Sequence, residues 1–528
     1  MRPIYFVLIL LFILSCQNKV NNDSAILIKP KPVPKIQVEG NAIAFDSALV
    51  RSYNNQMLLE FYRATGFKTV WQSATYRKVI LNAIKESDKE GLLPEDYQLE
   101  SLISFEKKHA LLKEKDLVTY DLLLTLNTQL LLTHLKIGKL NPKEMYSNWD
   151  IENKVFDVNA VLAEAFTKKK MDVVIEECKP NTMVYNQLKE ALRLIENYPD
   201  IDFTPIAFTE KIVANDTNVK VIAVKKRLKY WKDFTSSDSL TAIYDSKTVA
   251  AVKRFQQRHG LAPDGILGAG TIEALNFSKT NRKKQIIANL ERWRWFQITP
   301  DTDYIIVNIP DYKLVVVENQ DTTITQKVVV GTTKRRTPIL TSYLRTVVLN
   351  PTWTIPPTIL KEDVVPAMKR NRYYLSNKNI TIYDSDNNVV APENWNANKP
   401  HNYRYVQEPG PNNTLGEMKI LFPNHYSIYL HDTNHRNLFG LNNRSLSSGC
   451  IRVEKPLELA GYFLNHSEKW SKEKIDSVVA TRKTQYVKIE KKYNIYIWYW
   501  TAWSQNNELH FRKDIYDYDL ALYEKLRS

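Results

Sequence analysis

The segment His431–Cys450, "HDTNHRNLFGLNNRSLSSGC", sets two histidines four positions apart and ends on a cysteine after Ser-Ser-Gly. Those residue types serve two chemistries: ligation of a metal, or a thiol nucleophile with an imidazole base. A His-x-x-x-His pair shares one metal when both residues lie on one helical face. Here "HYSIYLHDT" alternates as a strand running into a turn, Asp-Thr-Asn disfavours a helix interior, and no Glu follows the first histidine. No third ligand stands nearby, so no metal site is expected. In "SLSSGCIRV", Gly449 lets the backbone approach a reacting carbonyl closely, and the N–H groups of the turn suit an oxyanion. A free cysteine is only a few per cent thiolate at neutral pH, so an imidazole is its usual activator. His431 ends a strand and can return to Cys450 through a loop; His435 is the competing base. On these residues alone, packed and unreactive side chains remain an alternative.

The elements that must position this pair are strands. "YIIVNIP", "YKLVVVEN" and "TTITQKVVVG" alternate with period two, and Asn-Gln-Asp turns between the second and third. After Arg282 the chain therefore reads as β-rich. Residues 357–415 are rich in Pro, Asn and aromatics and read as an inserted excursion over the site, a lid. A helical stretch follows at 456–482, and "YNIYIWYWTAW" with "LHFRKDIYDYD" reads as a closing hairpin. Upstream, residues 40–210 carry apolar positions at helical spacing, as in "MVYNQLKEALRLIENY". "DLLLTLNTQLLLTHL" (Asp121 to Leu135) is interrupted by Asn127, Gln129 and His134, so it is expected as a buried helix and not a membrane span. Residues 211–280 form a compact helical unit closed by the Pro-Asp-Gly turn of "HGLAPDGILGAGTIEALN".

A chain of 528 residues accommodates several domains with sizeable cores. Lys plus Arg outnumber Asp plus Glu by 73 to 58, a net charge of +15 that favours acidic polymers such as nucleic acid or murein. "MRPIYFVLILLFILSC" has one basic residue, an apolar run from Ile4 to Leu14 that is too short to span a bilayer, and a cysteine at the expected cut. Residues 1–16 are thus expected to be a signal peptide, and 17–39, with three X-Pro steps, a polar extended tether. Of three cysteines, Cys16 belongs to the leader; Cys178 reads as a packed side chain, and an exported Cys450 needs a reason.

Several stretches carry resemblances. "ILSC" resembles a bacterial lipobox, which implies cleavage before Cys16, lipidation there and a membrane anchor. "AVKRFQQRHGLAPDGILGAGTIEALN" is similar to the second half of a three-helix peptidoglycan-binding domain. "HDTNHRNLFGLNNRSLSSGCIRV", with "VVVGTTKRRTPIL", "VLNPTWTIPPTIL" and "GEMKILFPNHYSIYLHDT", resembles the L,D-transpeptidase catalytic domain, and "GLLPEDY" and "IGKLNP" are similar to the scaffold region of its long, lid-bearing members. The resemblance implies a multidomain α+β protein: a mostly helical scaffold (40–210), a peptidoglycan-binding-like module (211–280) and a β-rich catalytic domain (285–528) with the lid inserted.

The same resemblance implies a murein L,D-transpeptidase acting through a Cys450 thioester, with His431 as base and the backbone carbonyl of Asp432 orienting the imidazole. It implies an oxyanion site from the Gly449 and Cys450 N–H groups with Tyr429, and no cofactor. Arg452 and Arg444 are candidates for holding the turn or the acidic stem peptide, Ser447 and Ser448 for shaping the turn, and Trp353 for lining the donor groove. Peptidoglycan stems and, through Cys16, a membrane are the implied partners, with no nucleic acid, in a periplasm-facing lipoprotein of the bacterial envelope. An L,D-carboxypeptidase would share every residue named, a relative using a D-amino acid or protein lysine as acceptor would differ only there, and a non-catalytic murein-binding lipoprotein would lose the thiol chemistry.

Overall fold

The computed structural model describes residues 33–38, 40–235, 240–298, 302–465 and 469–528. Cys16 and the expected leader 1–16 lie outside the described residues, as does the tether apart from 33–38. That last piece of tether is docked: Ile36 is buried, and its N–H donates to the Ala64 carbonyl.

The first half is helical, and its centre is the helix Glu114–Ile137, buried over much of its circumference. Asp121 sits inside this core because its carboxylate accepts from the Val70 and Trp71 N–H groups and the Tyr62 hydroxyl, which satisfies an otherwise costly buried polar group. Cys178 ends the helix Met171–Cys178, 2% exposed among apolar neighbours, as a small packed residue should be. Among the described residues no helix is long and apolar enough to cross a membrane. The helices Lys220–Tyr230, Ser246–Arg258 and Ala269–Asn276 form the next unit. Gln256 organises it: its amide donates to Asp264, Ile266 and Thr271 and accepts from the Gly265 N–H, so this motif builds the fold.

The strands, in chain order, are β1 (Trp149–Asp150), β2 (Tyr304–Asn308), β3 (Lys313–Glu318), β4 (Asp321–Gly331), β5 (Ile339–Tyr343), β6 (Thr346–Leu349), β7 (Trp353–Thr354), β8 (Ile380–Tyr383), β9 (Arg404–Gln407), β10 (Met418–Leu421), β11 (Leu430–His431), β12 (Ser445–Ser447), β13 (Ile451–Val453), β14 (Gln485–Lys488), β15 (Asn494–Trp498), β16 (Ala502–Gln505) and β17 (Glu508–Phe511). Twelve of them make one sheet in the order β1-β5-β15-β2-β3-β4-β13-β11-β10-β6-β14, with β12 beside β4. The β3–β4 turn places Asn319 and Gln320 at φ 49° and 69°, the double left-handed pair of a tight hairpin.

Two expectations are corrected. The chain does not turn to strands at Arg282, because Lys279–Trp295 is a helix, buried on nearly all sides. Buried charges take up much of its surface, Arg292 paired with Asp519 and Arg294 with Glu291, so it has no apolar stripe for periodicity to find. Likewise β15 forms no hairpin with its successor in the chain, β16. It lies inside the large sheet, parallel to β2 and antiparallel to β5, and the hairpin is β16–β17 alone.

The excursion 357–415 is folded. With β7 it forms a separate three-stranded sheet, β7-β9-β8, over its own core of Ile355, Leu360, Met368, Ile382, Trp395 and Tyr405. Arg335 ties its root to the turn before Cys450. The guanidinium meets Glu362 (2.7 Å) and Asp363 (2.6 Å) of the lid and the Ser448 hydroxyl (3.0 Å).

Candidate active site

Three neighbouring strands assemble the site. β10 pairs antiparallel with β11, Lys419 opposite His431, and β11 pairs parallel with β13, His431 opposite Arg452. Cys450 immediately precedes β13, and the Ile451 N–H donates to the Tyr429 carbonyl, so the thiol is set beside Tyr429, two residues along the chain from His431. Gly449 makes the approach possible with φ 114°, a conformation that L side chains rarely adopt.

His431 is 4% exposed, and its Nδ1 lies 2.5 Å from the Asp432 carbonyl oxygen. That contact fixes the tautomer: Nδ1 carries the proton and donates it to the carbonyl, which leaves Nε2 as the free base. The Asp432 carboxylate does different work, accepting from the Glu417 N–H and pairing with Arg436 at 3.0 Å. Gly416, at φ 59°, permits this, since a Cβ there would lie 2.1 Å from Asp432 Oδ2. His435 is exposed, in the loop after β11. Among the described residues, no group of three or more His, Cys, Asp or Glu is placed to hold a metal.

Burial pushes the Cys450 thiol up to about 11, against the downward pull of hydrogen bonds from Tyr429 and of the Arg452 and Lys419 cations. Burial, with help from Arg452 and Lys419, holds the His431 imidazole down at about 3. The resting pair is therefore thiol and neutral imidazole. Burial also raises the Tyr429 hydroxyl well above the ordinary range, so it stays protonated and able to donate.

The turn is braced from behind. Ser447 donates its hydroxyl to the Cys450 carbonyl (2.5 Å) and accepts from the Gly449 N–H (3.1 Å). The Gly449 N–H, expected at an oxyanion, is thus already used within the turn, and the Cys450 N–H and the Tyr429 hydroxyl remain. Thr337, fully buried, donates to the Gly449 carbonyl and accepts from the Gly331 N–H, each at 2.8 Å. Asn148, on the segment leading into β1, donates to the Thr337 carbonyl and is held by the Tyr518 hydroxyl. A residue of the helical half is therefore built into the support of the reactive turn.

The other expected residues fall into distinct places. Arg444 gives its donors to the Val328, Leu441 and Tyr312 carbonyls and holds loops. Arg452 makes one long contact, 3.4 Å to Thr433 Oγ1, and its Nε is buried without a partner. Trp353 is half-buried at the lid's root, packed against the lid core. Sequence reasoning missed Lys419, Thr337 and Asn148. Lys419 reads as a solvent-facing position of an alternating strand, and only the pairing of β10 with β11 brings it to the site.

With this geometry in view, comparison with known proteins defines the class. Residues 302–479 match the family model described as "L,D-transpeptidase catalytic domain", residues 217–275 that described as "Putative peptidoglycan binding domain", and residues 56–192 that described as "Scaffold domain". Residues 302–479 are thus an L,D-transpeptidase catalytic domain, beside a peptidoglycan-binding-type and a scaffold-type domain. A Haemophilus influenzae protein named "Putative L,D-transpeptidase" is 37% identical over 268 residues, which cover 49% of this chain and 54% of that protein. The chain thus spans about half the length of the curated relative it matches. Among solved structures, an L,D-transpeptidase from Stackebrandtia nassauensis aligns at 11% identity over 56% of this chain and 97% of its own, with a TM-score of 0.22. An L,D-transpeptidase from Xylanimonas cellulosilytica aligns at 12% over 56% and 100%, with a TM-score of 0.18.

Proposed function

We propose that this protein is a murein L,D-transpeptidase that cross-links diaminopimelate residues of neighbouring peptidoglycan stems through a Cys450 thioester. The observation that carries the reading is the pairing of β11 with β13. It sets a cysteine on a left-handed glycine turn beside a buried imidazole whose Nδ1 is tied to a backbone carbonyl. In the first step the Cys450 sulfur attacks the amide between diaminopimelate and terminal D-alanine while its proton passes to His431 Nε2. The Cys450 N–H and the Tyr429 hydroxyl stabilise the oxyanion. Collapse breaks the C–N bond, and the imidazolium returns the proton to the departing amine of D-alanine. The diaminopimelate amine of a second stem then attacks the thioester, loses a proton to His431 and releases the thiol. No step calls for a metal or an organic cofactor. The folded lid, fastened through Arg335, keeps water from competing with the amine.

The test is mass spectrometry of products made from disaccharide-tetrapeptide by protein lacking residues 1–16, with Cys450→Ala alongside. A cross-linked dimer short of one D-alanine, absent with the variant, is expected. Tripeptide monomer alone would make the enzyme an L,D-carboxypeptidase, and no Cys450-dependent product would leave a peptidoglycan-binding protein.

The same reading takes residues 1–16 as a lipoprotein leader and Cys16 as the anchored residue, in the bacterial envelope facing the periplasm. The apolar run ending in "ILSC" supports it. An acylated Cys16 at the mature N-terminus, read by mass spectrometry, is the expected result, and a mature chain beginning elsewhere would remove the anchor.

A further inference from the structure

Lys419, His431 and Arg452 occupy facing register positions on three adjacent strands, so they form a row on one face of the sheet. Tyr429 lies two residues before His431 and Cys450 two residues before Arg452, one step along from that row, and both cations act on the thiol electrostatically. Lys419 Nζ lies 5.5 Å from the centroid of the Tyr429 ring. Both cations are half-buried, and burial lowers the pKa of each.

Neither cation has an acidic partner among the described residues. The nearby carboxylates are engaged elsewhere: Asp432 and Glu417 with Arg436 at 3.0 and 3.8 Å, and Glu454 with Lys327 at 3.5 Å. The thiol supplies no counter-charge, since it rests protonated. Two desolvated cations without an anion are unfavourable, and buried charges are ordinarily paired. Their retention beside a nucleophile points to an anion that arrives with the substrate.

Resting on the transpeptidase reading above, we propose that Lys419 and Arg452 form a carboxylate subsite beside the Cys450 sulfur, which holds the terminal carboxylate of the departing D-amino acid. That carboxylate lies only a few bonds from the scissile carbonyl carbon, so the thiol and the cation pair one step along from it can engage one donor together. Lys419 is the specificity-determining member, because Arg452 is also committed to Thr433. The subsite selects donor stems that end one residue beyond the scissile amide and releases its ligand with the leaving group.

The test compares two acyl donors in single-turnover formation of the acyl-enzyme: disaccharide-tetrapeptide with a free terminal carboxylate, and the same compound capped there as an amide. Wild-type protein is expected to prefer the free acid. In Lys419→Met the acid-to-amide ratio of kcat/KM falls about ten- to a hundred-fold, the range of a charge-assisted hydrogen bond, and Lys419→Arg keeps most of it. The ratio is independent of the active fraction, so partial misfolding does not imitate the effect. An unchanged ratio in Lys419→Met would overturn the subsite, as it would if Lys419 served the thiol or another carboxylate of the stem. Absence of any Cys450-dependent acylation of wild-type protein by either donor would instead remove the transpeptidase reading on which the subsite rests.

Discussion

Replacing His431 by Gln lowers the rate of acyl-enzyme formation by about two to four orders of magnitude, the usual contribution of a positioned general base. Gln can still donate toward the Asp432 carbonyl, so the local fold is retained while the acceptor for the thiol proton is lost. Every feature around the ring favours the base form: the 2.5 Å contact from Nδ1, 4% exposure, and a pKa held at about 3 by burial and the Arg452 and Lys419 cations. Wild-type activity therefore shows no acid limb near the ordinary histidine value of about 6.5, because the imidazole is neutral far below it. Single-turnover release of D-alanine measures the effect. A loss smaller than about ten-fold would assign the base elsewhere, to the exposed His435 first.

The second large effect concerns the free enzyme. With burial pushing its thiol up to about 11, Cys450 reacts with iodoacetamide about a hundred-fold more slowly at pH 7 than an ordinary exposed cysteine. The rate climbs about ten-fold per pH unit through the alkaline range, because the reactive thiolate forms only as pH approaches the raised pKa. The sign follows from burial, which disfavours the charged form and outweighs the pull of Tyr429, Arg452 and Lys419. A rate that levels off between pH 5 and 7 would reveal a preformed thiolate–imidazolium pair and contradict the neutral resting state. Proton transfer to His431 then belongs to the substrate-bound state, where the geometry of a catalytic hydrogen bond tightens. In the resting arrangement, among the described residues, the thiol's hydrogen-bonding partner is Tyr429.

Local patterns in the sequence reveal much of this architecture, and non-local ones are hidden. The alternation of β2, β3 and β4 is readable because each strand shows period two, and the Asn319–Gln320 turn because Asn tolerates the left-handed region. Cys450, Gly449 and His431 stand out because their types and order already suggest a mechanism. The helix Lys279–Trp295 escapes because Arg and Asn residues serve as its buried face, paired with groups more than two hundred residues away such as Thr501 and Asp519. β15 escapes because its partners β2 and β5 are remote in sequence, and neighbouring turn signals suggest a hairpin instead. The same reason hides Asn148 and Thr337. A single Asn near the end of the helical half gives no sign that it supports the carbonyl behind a nucleophile some three hundred residues later.

This support also ties the three regions into one device. β1, contributed by the helical half, pairs with β5 and extends the catalytic sheet. The peptidoglycan-binding-type unit docks on the β16–β17 hairpin through Arg258, whose guanidinium meets the Leu509 carbonyl and pairs with Asp233, and Ala262 donates to Asn442 in the loop before Cys450. The contact sets this unit next to the loop that leads to Cys450.

Whether Cys450 carries a thioester is decided by the intact mass of the protein, rapidly quenched after mixing with disaccharide-tetrapeptide. The expected result is an added mass equal to the donor minus one D-alanine, located on the peptide containing Cys450 and discharged by hydroxylamine as a thioester is. An adduct on any other residue, or turnover without an adduct under conditions that trap thioesters, would contradict it.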